Sequence, residues 1–508
     1  MNREQRNLAY NKYVSAKIPK TKAWPSLFNS FWVGGLICCI GQGINDLILL
    51  FFPSISEQSA WAYTLVVLIF LASFLTGLGV YDKIGKFAGG GSIVPITGFS
   101  NSISSPAVEF KNEGIIYGMC VKMFTIAGPV IVAGIVSSVI VGFIYWIFLI
   151  WDRNSISFFL FWFNFINYGN KQIMMKNNET IYLKNRPKII GSYSIVGPKE
   201  GKGNFGEYFD YVMKDDCFNE ETYEKAERKM IETAIVGAID KSRINPKDIN
   251  MLIAGDLLNQ IISSSYAARV FDFSYLGVYG ACSTMAESMA VGAVMVDGQY
   301  FKNVVCCTAS HFSTAERQYR FPLELGNQRP PAAQWTVTGA GSCVLSLSGE
   351  GPEISMVTFG KVIDYDIKDV NNMGAAMAPA AMDTMLNHFK NTKTSPDDYD
   401  LIVTGDLGKL GSEILIDLME DKGIKLGINY GDCGQMYFTR SQNMMCGGSG
   451  CGCSATVFNS FIMKKLNEKK YKKVLFMPTG ALLSTTATQQ GDSIPGVCHA
   501  IVIESVKS

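Results

Sequence analysis

The sequence predicts two architectures in one chain. An N-terminal all-α transmembrane bundle covers about residues 1–150, and a C-terminal α/β unit, layered α-β-α-β-α by internal duplication, covers 186–508. Three observations predict this. Two apolar runs near the N-terminus have spanning length, the composition becomes ordinary and globular from about 185, and a thirteen-residue pattern recurs 150 residues downstream. A chain of 508 residues is long enough for such a division. Its formal net charge of +1 excludes a global field drawing it to nucleic acid.

The first apolar run is Phe31–Phe52, interrupted by Gln42, Asn45 and Asp46, and the second is Trp61–Tyr81. Each is about 20 residues, the length a hydrocarbon core of roughly 30 Å requires. The basic residues Arg3, Arg6, Lys12, Lys17, Lys20 and Lys22 precede them against the single acid Glu4. The excess of positive charge places the N-terminus in the cytoplasm. The first run lacks a small-residue cleavage site, so it does not read as a removable signal. A third apolar region, Gly114–Trp151, is too long for one straight span and carries Lys122 and a Gly128-Pro129 break.

Before it lies a stretch broken by Gly89–Gly91, Pro95 and Gly98, followed by Asn101, Ser104-Ser105-Pro106 and Glu109. Broken segments at membrane depth line cavities or pores, and ionisable groups there are functional candidates. Asn45, Asp46, Asn101, Glu109 and Lys122 are therefore the candidate membrane pathway, with Glu109 and Lys122 able to pair. The alternative is a cytoplasmic loop over 87–112 with Lys122 reaching to the interface. Lys171, Lys176, Lys184, Arg186 and Lys188 follow the bundle. They place the C-terminal unit in the cytoplasm too, which requires an even number of crossings. Residues 151–185 read as a linker or fusion seam: Ser155–Tyr168 is crowded with Phe and Trp, and Met174-Met175 could be a former start.

In the C-terminal unit, Asn245–Leu257 aligns without gaps on Ser395–Leu407, with five of thirteen positions identical. Each copy follows a helical pattern, Glu221–Arg243 or Pro379–Asn391, and ends a buried strand in Gly-Asp. A second pair follows. Gly280-Ala281-Cys282-Ser283 opens a helix to about Val296 and a strand Asn303–Ala309, and Cys451-Gly452-Cys453-Ser454 opens a helix to about Leu466 and a strand Lys473–Pro478. Such alternation implies parallel or mixed sheets with helices between them. Thirteen cysteines in apolar or Gly-rich settings read as reduced thiols, and no ligand spacing suggests a metal site.

The duplication, with a cysteine on a strand-to-helix turn, resembles the thiolase and ketoacyl synthase superfamily. The resemblance implies that Cys282 occupies the acyl nucleophile's position, where a helix N-terminus would lower its pKa. Catalytic members also need a histidine after the second-half strand and a His or Asn nearby. Here that strand ends in Thr404-Gly405-Asp406-Leu407, and Gly447–Cys453 holds neither. Of the three histidines, His499 sits in a Gly-rich turn near the expected cavity, His311 follows a buried strand, and His388 is expected on a helix surface. The loop after that strand carries His311, Arg317, Arg320, Arg329 and Trp335, and Arg269 precedes the cysteine turn. Arginines beside an aromatic suit a small planar anion, because a guanidinium grips carboxylate at two points.

From 185 to 508 these runs resemble the stage V sporulation protein AD family. The motifs are Gly280–Thr284, Ser310–Pro322, Pro330–Gly341 and Gly447–Ala455. Residues 1–150 resemble the stage V sporulation protein AC family through 89–102, 105–111 and 122–130. The resemblance implies a multi-pass component of a spore inner-membrane complex. It would move dipicolinic acid, largely as its calcium chelate, into the forespore and out again at germination, with other membrane subunits as partners. It also implies a non-catalytic, dipicolinate-binding AD-like unit without cofactor, able to pair as a homodimer. The ligand-binding candidates are Arg269, Cys282, His311, Arg317, Arg320 and His499. The rival readings are a membrane-tethered condensing enzyme with Cys282 as nucleophile and a scaffold with a vestigial cavity.

Overall fold

The structure is a computed structural model that describes residues 3–20, 23–132, 135–136 and 179–506. The aromatic run Ser155–Tyr168, Lys171, Lys176, Met174-Met175 and all of the third apolar region past 136 lie outside the described residues. The chain divides into two compact units. One comprises Met1–Thr21, Asn178–Phe321 and Arg329–Ser508, and the other Lys22–Asn177 with Pro322–Gln328.

Helix α1 (Arg3–Lys17) belongs to the first unit. The second unit opens with α2 (Ala23–Phe51) and α3 (Glu57–Gly77), both long and apolar enough to cross a membrane. The expected runs are thus found with shifted ends. The α2 helix starts eight residues earlier than Phe31, and α3 stops at Gly77 because Gly79 (φ 63°) breaks it before Tyr81. Phe31, Leu50 and Phe70 stay exposed, as side chains facing lipid would.

The Gly/Pro-rich stretch is two helices, not a loop. They are α4 (Tyr81–Ala88) and α5 (Ile96–Glu109), joined by a helical turn over Gly90–Ile93. Gly89 turns the chain with φ 52°, and a Cβ on Gly91 would stand 2.1 Å from the Ser30 carbonyl oxygen. Close backbone approach to α2 therefore requires glycine there. An apolar helix at Gly118–Val132 follows.

The first unit holds a mixed sheet system in two halves. The first half has β1 (Lys188–Val196), helix α6 (Tyr223–Ser242), β2 (Met251–Gly255), β3 (Ser274–Gly277), α7 (Thr284–Asp297), β4 (Asn303–Ser310), α8 (Phe312–Tyr319) and β5 (Gly339–Ser346). The second has β6 (Glu353–Thr358), α9 (Met373–Thr392), β7 (Leu401–Thr404), α10 (Gly408–Glu420), β8 (Tyr430–Asp432), α11 (Cys451–Val457), β9 (Lys473–Met477) and β10 (Ala500–Glu504). The strand order is β3-β2-β4-β5-β1 and then β6-β10-β9-β7-β8, so the two halves repeat one topology and meet at the pairing of Lys188 with Glu353. In each half the inner crossovers are parallel and the last strand is antiparallel.

The repeat is in register. The α6 and α9 helices both run 20 residues, and each ends in a left-handed residue, Arg243 or Lys393, at φ 57°. The α9 helix starts six residues before the expected Pro379, which sits inside it. All eight residues of β4 are buried, as in a strand covered on both faces. Helices α7 and α11 lie between the sheets, sharing one core with Val304, Cys343, Val403 and Phe476. The α6 helix covers the outer face of one sheet, and α9 and α10 that of the other. Five layers result, the thiolase-like arrangement expected from the duplication.

Candidate functional site

The cysteine turn is built by strain at one residue. Ala281 takes φ 50°, and a single tight turn over Ala281–Ser283 feeds into α7. This holds Cys282, 5% exposed, at the end of the buried layer. Its sulfur lies 3.8 Å from Ser449 Oγ, and Ser449 Oγ donates to Asp406 Oδ2 at 3.2 Å. Thr479 Oγ1 donates to Asp406 Oδ1 at 2.9 Å, and Gln334 Nε2 to the Asp406 carbonyl at 2.6 Å. Asp406 lies just past the end of β7, where a catalytic member would need a histidine.

The electrostatics favour neutral groups. Burial pushes the Asp406 carboxyl up to about 7. Burial, and then the neighbouring Asp406 carboxylate, push the Cys282 thiol well above its ordinary value. The expected lowering by the helix N-terminus is overturned, because a desolvated thiolate beside a carboxylate costs more than one turn of helix returns. Among the described residues, no imidazole lines the cavity in front of Cys282. Its walls are Leu257, Tyr279, Tyr319, Arg320, Met373 and Leu483, around a volume of about 30 Å³. Tyr279 and Tyr319 hydroxyls stand 3.3 Å apart, and Tyr319 donates to the Leu257 carbonyl.

Of the six ligand-binding candidates, only Cys282 and Arg320 share this cavity. Arg320 is paired to Glu316 at 3.0 Å, one helical turn back. Arg317 is buried against Glu224 at 3.4 Å. Arg269 is exposed, donating to the Tyr266 carbonyl and lying 4.4 Å over that ring. His311 caps α8: its Nδ1 accepts from Ser313 N, so Nε2 carries the proton and donates to the Asp216 carbonyl at 2.7 Å. His499 accepts from Gly360 N at 3.2 Å, and burial lowers it to about 4.

His388, expected at the surface, is fully buried between Thr358 and Tyr399, at 2.8 Å from each. It faces the core because α9 is covered on that side by β6 and the loop before β7. Asp406 and Ser449 were missed, although the repeated Gly-Asp turn marked the first. Arg329, from the loop that carries Arg317 and Arg320, does not line this cavity. It lies 4.9 Å over Trp335, which stacks on Phe312 at 3.7 Å. Among the described residues, no cluster of three or more His, Cys, Asp or Glu side chains could hold a metal ion.

In the membrane-type unit, Asn45 is buried and accepts from Thr64 at 3.5 Å. Asp46 is exposed and accepts from Gln42. Asn101 accepts from Thr76 at 2.8 Å and donates to the Leu325 carbonyl. Glu109 accepts from Leu323 N at 2.7 Å, and the Lys122 ammonium lies 5.1 Å over Phe110. The two asparagines thus make the polar ties that hold apolar helices together.

Comparison with known proteins bears on both units. Residues 177–504 match the family model described as stage V sporulation protein AD, and 26–144 the one described as SpoVAC/SpoVAEB sporulation membrane protein. Stage V sporulation protein AD of Bacillus subtilis (strain 168) is 44% identical over 311 residues, 61% of this chain and 92% of that protein. Stage V sporulation protein AC of the same organism is 46% identical over 135 residues, 27% of this chain and 89% of that protein.

Among solved structures, 3-oxoacyl-[acyl-carrier-protein] synthase III from Aquifex aeolicus VF5 is 13% identical with a TM-score of 0.41, over 63% of this chain and 99% of that one. Cerulenin-bound OleA of Xanthomonas campestris is 12% identical with a TM-score of 0.44, over 65% and all of that chain. The chain belongs to the stage V sporulation protein AD family and carries, fused ahead of that region, a SpoVAC/SpoVAEB sporulation membrane protein region.

Proposed function

We propose that this chain is a subunit of a spore inner-membrane complex that moves dipicolinic acid, as its calcium chelate, into the forespore and out again at germination. Its thiolase-like unit binds the ligand and does not catalyse. The observation that carries the non-catalytic part is the partner of Cys282. A thiol held well above its ordinary value, next to Ser449 and a buried Asp406, has among the described residues no imidazole in its cavity to take its proton or to polarise a carbonyl.

Arg320, with Tyr279 and Tyr319, supports an aromatic carboxylate as ligand. A volume of about 30 Å³ holds one water and no aromatic dicarboxylate. Binding therefore requires Tyr319 and Arg320, at the end of α8, to swing outward and exchange Glu316 for the ligand. The seating of α1 within the thiolase-like unit supports one side of the membrane for both, hence an even number of crossings. Asn45, Asp46, Asn101, Glu109 and Lys122 remain the proposed pathway.

Calorimetric titration of the full chain in detergent with dipicolinic acid, with and without calcium, tests the reading. Saturable binding weakened by Arg320→Ala is expected. A folded chain that takes up no ligand would leave the thiolase-like unit a scaffold, and the membrane segments alone would handle the solute.

A further inference from the structure

Helix α1 looks, by sequence, like a basic leader to the first membrane helix. It is instead seated on the thiolase-like unit. Tyr10 and Val14 are 5% and 3% exposed and join the core of α9 and α10. Arg3, Arg6, Tyr10, Tyr13, Val14 and Lys17 follow three- and four-residue spacing, so they share one face. Arg3 pairs with Asp364, and Arg6 lies 4.0 Å over Tyr365. Tyr13 and Lys17 both donate to the Asp417 carboxylate. A polar helix of 15 residues is marginal in water alone, so this seat stabilises it.

The seat also has a vacancy that fits it. Pro379 lies inside α9 and has no N–H, so the carbonyl four residues back, Ala375, lacks its helical donor. Tyr10 Oη donates to that carbonyl at 2.6 Å, in a buried position. A proline-made acceptor filled by a tyrosine hydroxyl is a recognition feature that the covalent connection between the two units does not require.

The two regions of this chain match two separate polypeptides nearly end to end. Where they are separate, only non-covalent contacts could join them. We infer that the surface formed by Tyr365, Ala375 and Asp417 is a docking site for a basic, tyrosine-bearing amphipathic helix that precedes the membrane-spanning segments of a partner chain. In this fused chain, α1 supplies that helix in cis. The inference is independent of what the Cys282 cavity binds.

The test cuts the covalent connection. A protease site placed between Lys17 and Ala23 of the full chain, with an affinity tag before Arg3, allows α1 to be severed in detergent. The severed, tagged α1 should retain the remainder of the chain, and Asp417→Lys, at a half-exposed position, should release it. Tyr10→Phe should speed release about tenfold, the value of one buried hydrogen bond.

In a Pro379→Ala background the helix supplies its own donor, so the Tyr10→Phe effect should shrink. Loss of the remainder from wild-type α1 immediately on cutting would overturn the docking site. An undiminished Tyr10→Phe effect with Pro379→Ala would overturn the role of the freed carbonyl. An unchanged melting temperature of each uncut variant separates release from misfolding.

Discussion

The two halves of the thiolase-like unit share strand order, helix length and the Gly-Asp turn, yet use the turn's carboxylate differently. In the first half Asp256 accepts from the backbone N–H groups of Leu258 and Ser264, at 2.9 and 2.7 Å, and so shapes its own loop. In the second half that loop is held by Asp432, which accepts from Leu407, Gly408 and Gln435. Asp406 is thereby released to face Ser449, Thr479 and Cys282. The cysteines are crossed in the same way. Cys282 of the first half meets the second half's aspartate, and Cys451 of the second half donates to the Ala281 carbonyl of the first. Duplication supplied two equivalent scaffolds, and only one of the two aspartates is turned into the cavity region.

Four substitutions sharpen this contrast. The largest effect is expected at Asp256, where Ala strands two buried N–H donors. Thermal or urea unfolding should show a loss of about 3 kcal/mol, against a clearly smaller loss for Asp406→Asn. Next is His388, whose counterpart in the first half is Ala238, also buried. His388→Ala makes the second half resemble the first but removes two buried hydrogen bonds and leaves Thr358 and Tyr399 with only Thr180 and Thr394 as hydroxyl partners, at a cost of about 2 kcal/mol.

The pH dependence of these two sites runs in opposite directions. Burial lowers His388 to about 4, so its contribution is present above the ordinary imidazole value and fades as pH falls toward 4. Burial raises Asp406 to about 7, so its contribution is full at low pH, below the ordinary carboxyl value, and fades as pH rises through 7. The stability difference between wild type and each variant, measured from pH 4 to 8, should therefore slope up for His388→Ala and down for Asp406→Asn.

A smaller effect is expected in thiol reactivity. Removing the Asp406 charge lowers the Cys282 thiol toward its ordinary value, so Asp406→Asn should speed alkylation of Cys282 by about tenfold for each unit of pKa recovered. Peptide mapping after timed labelling, with half-buried Cys217 as the internal standard, reads this. The smallest effect is expected for Thr479→Val, which removes one of several donors to Asp406 at a cost of about 1 kcal/mol.

Much of the scaffold was legible because a gapless repeat fixes register. The offset that aligns Asn245 with Ser395 also aligns the α6 and α9 helices and their left-handed caps. The spans were legible from length and apolarity, and the broken 87–112 stretch from its Gly and Pro. The site was less so, for a reason that concerns pairing. Arg320 meets Glu316 one turn away, which spacing could have shown, but Arg317 meets Glu224 from α6, far off in sequence.

His388 was misread because polarity alone assigns a histidine to solvent, whereas two hydroxyls satisfy it inside. The role of α1 was hidden for the same kind of reason. Its basic residues fit a membrane-orientation rule, and nothing local reveals that Pro379, more than 350 residues on, leaves a carbonyl for Tyr10.

The proposed non-catalytic role requires that the thiolase-like unit keep Cys282 neutral and form no acyl-enzyme. Intact-mass spectrometry of the full chain after incubation with an acyl thioester tests it most directly. No adduct at Cys282 is predicted, across the range in which the fold is intact. A stoichiometric acyl adduct that disappears with Cys282→Ala would contradict the account and make this unit a condensing enzyme.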